Sequence, residues 1–358
     1  MKITRLEIKV HEMQLSDPYE IFYEYVDKCV NIFIRAETDT GITGYGCAAP
    51  DKMVTGESIQ SVINDFNSVI EPILKNEDPF RYGYLLEELK HKLTSSPSTL
   101  AMADMLLLDM VGKKAGEPLY RYLGGYRTCM PTSITIGIMP VKDTIEKAKD
   151  FVARGFYILK LKGGKDVEND IEKVIRLRES LGDTVRIRFD ANQGYDLGNA
   201  THFCEATRYC SIELLEQPTP REYGELLGMV SRKVAIPIMA DESIMNLRDA
   251  FRFTTNDFAD MINIKLMKAG GIREAFHIDS LASAAGMETM IGCMDESGLA
   301  IAAGLHFALS RTNVIYADLD GHFDLQDDPA HDAVILREGV LYPTGKPGLG
   351  FNMDKFFK

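Results

Sequence analysis

Eight short apolar runs recur between residues 132 and 320, and this repeat constrains the fold more than any other feature of the sequence. The runs are TSITIGI, YILKLK, RIRFDA, IELLEQ, IPIMADE, MINIKL, ETMIGC and VIYADLD. Their ends are separated by roughly 24 to 28 residues, and amphipathic helical stretches such as 166–180 and 272–285 lie between them. Alternating strands and helices are typical of a parallel sheet. The repeat therefore predicts a (β/α)8 barrel, with a doubly wound open sheet as the alternative.

The residues on either side of this repeat follow other patterns. ITRLEIKVHEM alternates like a strand, VNIFIRAET and ITGYGCA flank a glycine turn, and residues 57–74, 81–94 and 98–113 have helical spacing. No clear amphipathic helix follows the eighth run. We therefore predict an α/β protein, a modified TIM barrel of the (β/α)7β type with an α+β capping domain. The capping domain would cover residues 1–125 and the barrel 126–325, and a C-terminal segment, 326–358, would return to the capping domain.

Charge and composition exclude several classes of partner. With 40 basic and 53 acidic residues the net charge is −13, which argues against nucleic-acid binding because few phosphate counterions would be released. The N-terminus lacks the apolar region of a signal peptide, and no apolar run reaches the length of a membrane span, about 18 residues. The six cysteines have no CxxC spacing. We expect a soluble, cytoplasmic protein with reduced, mostly packing cysteines and no membrane partner.

Charged residues stand at the C-terminal ends of most of these runs, although buried parallel strands ordinarily end in apolar residues. Active sites of (β/α) barrels lie at that end of the strands, so these side chains are expected to meet at one mouth. The residues concerned are Lys160, Lys162, Asp190, Glu216, Asp241 and Lys265.

Three of these residues, Asp190, Glu216 and Asp241, are carboxylates on successive strands. Like charges in one cavity repel unless a cation neutralises them, and oxygen ligands without clustered His or Cys favour Mg²⁺. The carboxylates therefore predict a magnesium site. The alternative is that each carboxylate caps the helix that follows it.

The three lysines suit proton transfer. Lys160 and Lys162 are two residues apart on one strand, so both side chains point into the barrel, where each ammonium is expected to lower the other's pKa. Lys265 closes a strand four positions around the barrel, so a substrate would lie between it and Lys162, as inversion of a carbon centre requires. The alternative for the pair is two solvated surface lysines. Lys268 is disfavoured because it falls past the strand end.

The motifs KLK, FDANQG, LLEQP, ADES and NIKLMKAGG, in this order and spacing, resemble the muconate lactonizing enzyme subgroup of the enolase superfamily. The resemblance covers nearly the whole chain, because MADMLLLDMVGKKAGEPLYRYLGG is similar to the family's capping domain. It implies that the three carboxylates bind Mg²⁺ and that Lys160 helps to hold a substrate carboxylate. It also implies that Lys162 and Lys265 remove and return an α-proton through an enediolate.

The subgroup contains cycloisomerases, o-succinylbenzoate synthases, N-acylamino acid racemases and dipeptide epimerases. Asp318 and Asp320 resemble the paired aspartates with which dipeptide epimerases bind the substrate's α-ammonium group. The resemblance thus implies an isomerase, a Mg²⁺-dependent dipeptide epimerase that inverts Cα of the C-terminal residue. An o-succinylbenzoate synthase or a cycloisomerase is the alternative, with Asp318 and Asp320 in a solvated loop. A barrel kept only as a binding protein is disfavoured by the intact set of lysines and carboxylates.

Two departures from the relatives that act on Ala-Glu bear on the substrate. Glu24 stands where those relatives have a basic residue, and Asp295 replaces an apolar one, which predicts dipeptides that contain Lys or Arg. The alternatives are a solvated loop for Glu24, a helix cap for Asp295, and an L-Ala-D/L-Glu epimerase. Thr135 is a further candidate for substrate contact, and Glu242 and Glu296 are candidate supporting residues or caps. Analogy with relatives suggests a homo-oligomer.

Overall fold

In the computed structural model, which describes residues 1–358, the chain begins with a three-stranded antiparallel sheet. Its strands are β1 (Ile3–Glu20), β2 (Tyr25–Thr38) and β3 (Thr43–Ala48). The turn between β2 and β3 contains Gly41, whose φ of 78° lies in the left-handed region that favours glycine. The predicted hairpin is confirmed.

Helices follow the sheet and cover one of its faces. They are α1 (Ile59–Asp65), a π-helical turn (Phe66–Ile70), α2 (Glu71–Leu74), a 3₁₀ turn (Pro79–Arg81), α3 (Tyr82–Lys92), α4 (Pro97–Ala115) and α5 (Leu119–Tyr122). The three helical stretches expected from the sequence are present, and the π turn interrupts the first. Helix α4 packs so closely on β3 that a Cβ atom at Gly46 would lie 2.1 Å from the Met102 carbonyl oxygen.

The eight predicted runs all form strands of one parallel sheet, ordered β5 to β12 in sequence order. The short strand β4 (Met130–Pro131) precedes β5 (Ile134–Ile136), β6 (Ile158–Lys162), β7 (Arg186–Asp190), β8 (Ile212–Glu216), β9 (Ile238–Ala240), β10 (Met261–Lys265), β11 (Glu288–Gly292) and β12 (Val314–Asp318). The Ser133 N–H donates to the Ala317 carbonyl at 3.2 Å, so the first and last strands meet. This sequential order confirms the barrel and makes the doubly wound alternative wrong.

Helices separate the strands of the barrel. They are α6 (Val141–Ala153), α7 (Val167–Leu181), α8 (Leu197–Ala206), α9 (Gly224–Ser231), α10 (Leu247–Asn256), α11 (Leu266–Ala269), α12 (Ile272–Ala284) and α13 (Gly298–Ser310), with a 3₁₀ turn at Gly182–Thr184. No helix directly follows β12, as the predicted (β/α)7β type requires. None of the helices combines the length and apolar character that crossing a membrane requires.

The C-terminal segment touches both parts of the molecule. After a 3₁₀ turn (His331–Ala333), β13 (Val334–Arg337) and β14 (Val340–Pro343) form a small sheet with β4, and α14 (Asp354–Phe357) ends the chain. The Leu349 N–H donates to Asp109 of α4 at 2.8 Å, and Asp354 accepts from Tyr45 of β3 at 2.8 Å. The domain boundaries at residues 125 and 325 stay a prediction. All six cysteines are free.

Candidate active site

The charged residues singled out at the strand ends converge at the C-terminal mouth of the barrel. Lys160 and Lys162 lie on β6, Asp190 ends β7, Glu216 ends β8, Asp241 follows β9 directly and Lys265 ends β10. The parallel register aligns the ends of neighbouring strands, with Lys162 beside Asp190 and Asp190 beside Glu216. The barrel therefore brings together side chains that are far apart in sequence.

Asp190, Glu216 and Asp241 form a buried acidic cluster. One carboxylate oxygen from each lies within 4.8 Å of the others, and none of the residues is more than 1% exposed. The nearest cation to Glu216 Oε2 is the Lys160 ammonium, 2.8 Å away. Burial, with the charges of Asp190 and Asp241, raises the pKa of Glu216 to about 7. A buried cluster of three carboxylates, with oxygen donors alone, fits a hard divalent cation such as Mg²⁺.

Other side chains orient the cluster. The Asn263 amide donates to Glu216 Oε1 at 2.7 Å, and the Asn192 N–H donates to Asp190 at 2.9 Å. Lys268 Nζ lies 2.5 Å from Asp241 Oδ1 and from the Asp241 carbonyl oxygen. Burial would raise the pKa of Asp241, but the ammonium groups of Lys265 and Lys268 hold it below its usual range. Lys268 therefore contacts Asp241 and does not line the barrel mouth.

Lys160 is almost completely buried among carboxylates. Its ammonium lies 3.1 Å from Asp190, 2.8 Å from Glu216 and 2.8 Å from Asp318. Burial lowers the pKa of Lys160, but these negative charges outweigh it and raise the pKa well above the usual value. The expected lowering of the pKa by a neighbouring lysine is therefore wrong for Lys160, because three carboxylates lie within 3.1 Å of its ammonium.

Lys162 and Lys265 approach the mouth from opposite sides. Lys162 Nζ lies 2.8 Å from Asp190 Oδ2, and Lys265 Nζ lies 2.9 Å from Asp241 Oδ2. Their strands, β6 and β10, are four positions apart in an eight-stranded sheet, which is half the barrel. For Lys265, burial lowers the pKa, but the charge of Asp241 outweighs it and the pKa lies well above its usual value. Neither lysine is a solvated surface residue, since both side chains are at most 12% exposed.

Asp318 and Asp320 line a small cavity of about 70 Å³, which we call the inner cavity. Lys160, Lys162 and Lys265 also line it. Asp318, which is 4% exposed, accepts a hydrogen bond from the Ser133 hydroxyl at 2.6 Å. Asp320 accepts from the Thr135 N–H at 2.7 Å, and burial with the charge of Asp318 raises its pKa to about 7. The solvated-loop alternative is wrong for Asp318, because this side chain is enclosed.

A larger cavity of about 450 Å³, the outer cavity, lies between the barrel mouth and the N-terminal sheet. Lys162 and Lys265 form part of its wall. The outer cavity is also lined by three acidic residues, Glu24, Asp51 and Asp295. Two further lysines line it: Lys28 pairs with Glu12 at 3.0 Å, and Lys52 is exposed.

Asp295 and Glu24 differ in their surroundings. Burial raises the pKa of Asp295 to about 6, and the Tyr19 hydroxyl opposes this rise by donating to the carboxylate at 3.0 Å. Glu24 is exposed at the edge of the outer cavity, and partial burial with the charge of Asp51 raises its pKa. Helix α13 is capped by Ser297, so the helix-cap alternative for Asp295 is wrong.

The remaining candidates have local roles. Glu242 accepts from the Asn192 amide at 3.1 Å, and burial raises its pKa to about 7. Glu296 accepts from the Met294 N–H at 2.9 Å, and burial likewise raises its pKa to about 7. Neither acts as the side-chain cap of a helix.

Several residues of the site carried no clear signal in the sequence. Tyr19 and Asp51 line the outer cavity and belong to the N-terminal part of the chain, for which the sequence predicts a capping domain. Asn192 lies two residues after Asp190 in the motif FDANQG, and this position in the sequence indicates that it belongs to the site. Asn263 lies two residues before Lys265 on β10, so the two side chains point to the same face of the strand. This spacing is a weaker indication in the sequence.

The structure combines a parallel barrel with an α+β capping domain, and three carboxylates and several lysines meet at the barrel mouth. This combination is typical of enzymes with the enolase fold. Residues 143–356 match the enolase C-terminal domain-like family, and residues 4–124 match the mandelate racemase / muconate lactonizing enzyme N-terminal domain. The chain therefore belongs to the enolase superfamily, in the mandelate racemase and muconate lactonizing enzyme group.

Similar proteins are epimerases. The chain is 41% identical to the L-Lys-D/L-Arg epimerase of Desulforapulum autotrophicum, over 98% of this chain and 99% of that protein. The substrate-liganded L-Ala-D/L-Glu epimerase of Bacillus subtilis superposes with a TM-score of 0.95 at 35% identity, covering 98% of each chain. The dipeptide epimerase of Methylococcus capsulatus, solved with Mg and L-Arg-D-Lys, gives 0.93 at 36% identity, over 98% of this chain and 99% of that one. The chain is an isomerase, and its acidic cluster fits the ion that this last structure contains.

Proposed function

We propose that this protein is a Mg²⁺-dependent dipeptide epimerase that inverts Cα of the C-terminal residue and prefers dipeptides containing Lys or Arg. One observation carries the proposal: Lys162 and Lys265 line the same two cavities from opposite sides of the barrel, next to a buried acidic cluster. A carbon atom held between two such amines is exposed to a proton acceptor on one face and a proton donor on the other.

Asp190, Glu216 and Asp241 would hold the metal ion. A bound Mg²⁺ neutralises these carboxylates and, as a Lewis acid, stabilises negative charge on the substrate carboxylate, which makes the neighbouring Cα proton more acidic. Lys160, whose ammonium lies 2.8 Å from Glu216, stands where it can donate to the same substrate carboxylate. Its high pKa suits this role, because a permanent positive charge binds a carboxylate at every pH near neutrality.

We assign proton transfer to Lys162 and Lys265. Against the effect of burial, the charge of Asp241 raises the pKa of Lys265, and a cation held by the three carboxylates would offset that charge and favour the neutral amine. The one in its neutral amine form takes the Cα proton, and the electron pair of the C–H bond moves into the carboxylate to give an enediolate. The other, in its ammonium form, then donates a proton to the opposite face of the same carbon. Because each lysine ends the step with the charge that the other had at the start, the reaction runs in both directions and interconverts the two stereoisomers.

The inner cavity suits the ammonium end of the dipeptide. Asp318 and Asp320 both line this cavity, and the uncharged groups that donate to them include the Ser133 hydroxyl, the Thr135 N–H and the Cys293 thiol. A buried pair of carboxylates destabilises the fold unless a cation balances its charge. Of the two aspartates, only Asp318 forms a salt bridge with Lys160. Asp320 thus remains for the α-ammonium group, with Thr135 orienting it.

The outer cavity suits a cationic side chain. Glu24, Asp51 and Asp295 line it, and none of them forms a salt bridge within the protein. A Glu side chain would meet like charges there, which disfavours the L-Ala-D/L-Glu alternative, whereas Lys or Arg would meet opposite ones. Two relatives named L-Lys-D/L-Arg epimerases, at 41% and 37% identity, support the same preference.

The direct test is isotope exchange. Purified protein is incubated with Mg²⁺ and a library of L,L-dipeptides in D₂O, and Cα deuteration of the C-terminal residue is followed by mass spectrometry. We expect exchange and epimerisation with Lys- and Arg-containing dipeptides first. Absence of exchange across the whole library would refute the epimerase proposal, and fastest exchange with Glu-containing dipeptides would refute the cationic preference.

A further inference from the structure

Asp295 belongs to the barrel, in the loop after β11, but two side chains of the N-terminal sheet contact it. One comes from β1 and one from β2, and they contact the carboxylate and the backbone respectively. The loop is largely enclosed, with Glu296 2% and Ser297 0% exposed, so the N-terminal sheet holds both the side chain and the backbone of a buried segment.

The first contact comes from Tyr19, near the end of β1. Its hydroxyl lies 3.0 Å from Asp295 Oδ2 and 3.2 Å from Asp295 Oδ1, so a single donor faces both carboxylate oxygens. Burial and the charge of Asp295 raise the pKa of Tyr19 well above its usual value, and the hydroxyl therefore keeps the proton that it donates. The same hydrogen bond favours the ionised form of Asp295, against the effect of burial.

The second contact comes from Asn31 of β2, which is completely buried. Its side-chain amide donates to the Asp295 carbonyl oxygen at 3.1 Å, and its own carbonyl oxygen accepts from the Ser297 N–H at 2.8 Å. The Cys47 thiol of β3 also donates to this oxygen at 3.3 Å. Asn31 thus spans the three residues from 295 to 297 and fixes the path of the loop.

Strand β1 is itself fixed to the barrel near Tyr19. The Ile138 N–H donates to the Glu20 carbonyl oxygen at 2.7 Å, and a Cβ atom at Gly137 would lie 2.7 Å from Tyr19 Cβ. Nearer the start of the strand, the Ser16 N–H donates to the Asp324 carbonyl oxygen at 2.8 Å. The tyrosine is therefore a rigid donor, and a carboxylate held by a rigid donor loses little freedom when it binds a cation.

We infer that Tyr19 and Asn31 are positioning residues that orient Asp295 toward the outer cavity, so that the N-terminal sheet sets the preference for a cationic side chain through a barrel residue. The inference rests on the proposed function for its consequence in catalysis. The contacts themselves can be tested without any activity.

The kinetic test uses two matched substrates, L-Lys-L-Lys and L-norleucyl-L-norleucine, which differ only in the terminal ammonium groups of the side chains. For Tyr19→Phe we expect the ratio of kcat/KM for the cationic to the neutral dipeptide to fall about tenfold, mainly through KM. The control is Tyr25→Phe, which removes a hydroxyl from a tyrosine of the same sheet that is 63% exposed and makes no hydrogen bond to Asp295.

A double-mutant cycle separates positioning from a general structural effect. In the Asp295→Asn background, Tyr19→Phe should leave the substrate ratio unchanged, because the group on which it acts is already neutral. Equal effects of Tyr19→Phe in the two backgrounds would overturn the inference, as would an unchanged ratio in the single variant.

Hydrogen exchange measured by mass spectrometry provides the test that needs no turnover. We expect Tyr19→Phe and Asn31→Ala to speed exchange in peptides covering residues 293–297, with Tyr25→Phe unchanged, because the Ser297 N–H loses protection when the loop is released. Unchanged exchange in both variants would overturn the inference even if the wild type is inactive on every dipeptide. Inactivity of the wild type with accelerated exchange in the variants would overturn the proposed function and leave the contacts established.

Discussion

The inner and outer cavities are both lined by carboxylates, but their charges are compensated in different ways. Around the inner cavity, Lys160, Lys162 and Lys265 all lie within 3.1 Å of carboxylate oxygens, and Asp320 is a carboxylate of this cavity that forms no salt bridge. In the outer cavity, Glu24 and Asp295 form no salt bridge, and Asp295 is supported by a tyrosine hydroxyl instead. Buried charges that are compensated by the protein stay in place for chemistry, and charges left uncompensated remain available to a substrate.

The difference also follows the architecture. The three lysines of the inner cavity stand at the ends of barrel strands, and hydrogen bonds of the parallel sheet fix their positions. Strand β1 contributes to the wall of both cavities, but residues 19–59 of the N-terminal part of the chain form most of the wall of the outer cavity. We therefore expect changes at the strand ends to affect the rate of any substrate, and changes in the outer cavity to affect the choice among substrates.

The largest expected effect is that of replacing a proton-transfer lysine. Lys162→Arg or Lys265→Arg should reduce epimerisation at least about 10²-fold, because a guanidinium does not deprotonate near neutral pH. The remaining lysine should still exchange the Cα proton of one stereoisomer, which proton NMR in D₂O detects. Lys142→Arg, at a side chain that is 84% exposed, is the matched control. Full epimerisation by both lysine variants would contradict the two-base scheme.

Removal of the metal ion should affect both substrates equally. Dialysis against EDTA is expected to abolish turnover, and added Mg²⁺ should restore it. Binding of Mg²⁺ to the folded state should also raise the Tm of the wild type, and this rise should be lost in Glu216→Gln, which removes one negative ligand. An equal rise in Tm for the variant would place the ion elsewhere.

An exchange of charge in the outer cavity should alter selectivity more than rate. Glu24→Arg with Asp295→Ile should shift the ratio of kcat/KM from Lys-containing toward Glu-containing dipeptides, by about tenfold or more, since the repelled and attracted side chains change places. Asp27→Arg provides the control, because Asp27 is exposed and does not line this cavity. If the double variant keeps the selectivity of the wild type, the outer cavity does not discriminate among substrate side chains.

The smallest expected effect is a dependence of selectivity on pH. Burial raises the pKa of Asp295 to about 6. This carboxylate is therefore ionised at pH 7.5 and becomes protonated as the pH falls below its pKa. The preference for L-Lys-L-Lys over L-norleucyl-L-norleucine should therefore decrease between about pH 7 and pH 5. Taking the ratio of the two substrates cancels titrations of the lysines and metal ligands. Asp295→Asn should flatten this profile, and an equally steep one in the variant would assign it to another group.

Much of the fold was predictable because it depends on local periodicity. The alternation of strands and helices and the missing helix after the eighth strand both follow from residues close together in sequence. Lys162 and Asp190 were predictable as neighbours for the same reason, since the parallel register places strand ends side by side. The pKa of Lys160 was not, because it depends on Asp318, which is 158 residues away.

The sequence by itself determined the barrel, its polar strand ends and the residue types of a metal site, because these depend on apolar spacing and on chemical identity. Only the tertiary structure decided which charges are compensated. It placed Lys160 among three carboxylates and left Asp295 to the hydroxyl of Tyr19, 276 residues away. The physical reason is that Coulomb interactions, hydrogen bonds and burial depend on distance in space, which is set only once the capping sheet packs on the barrel mouth.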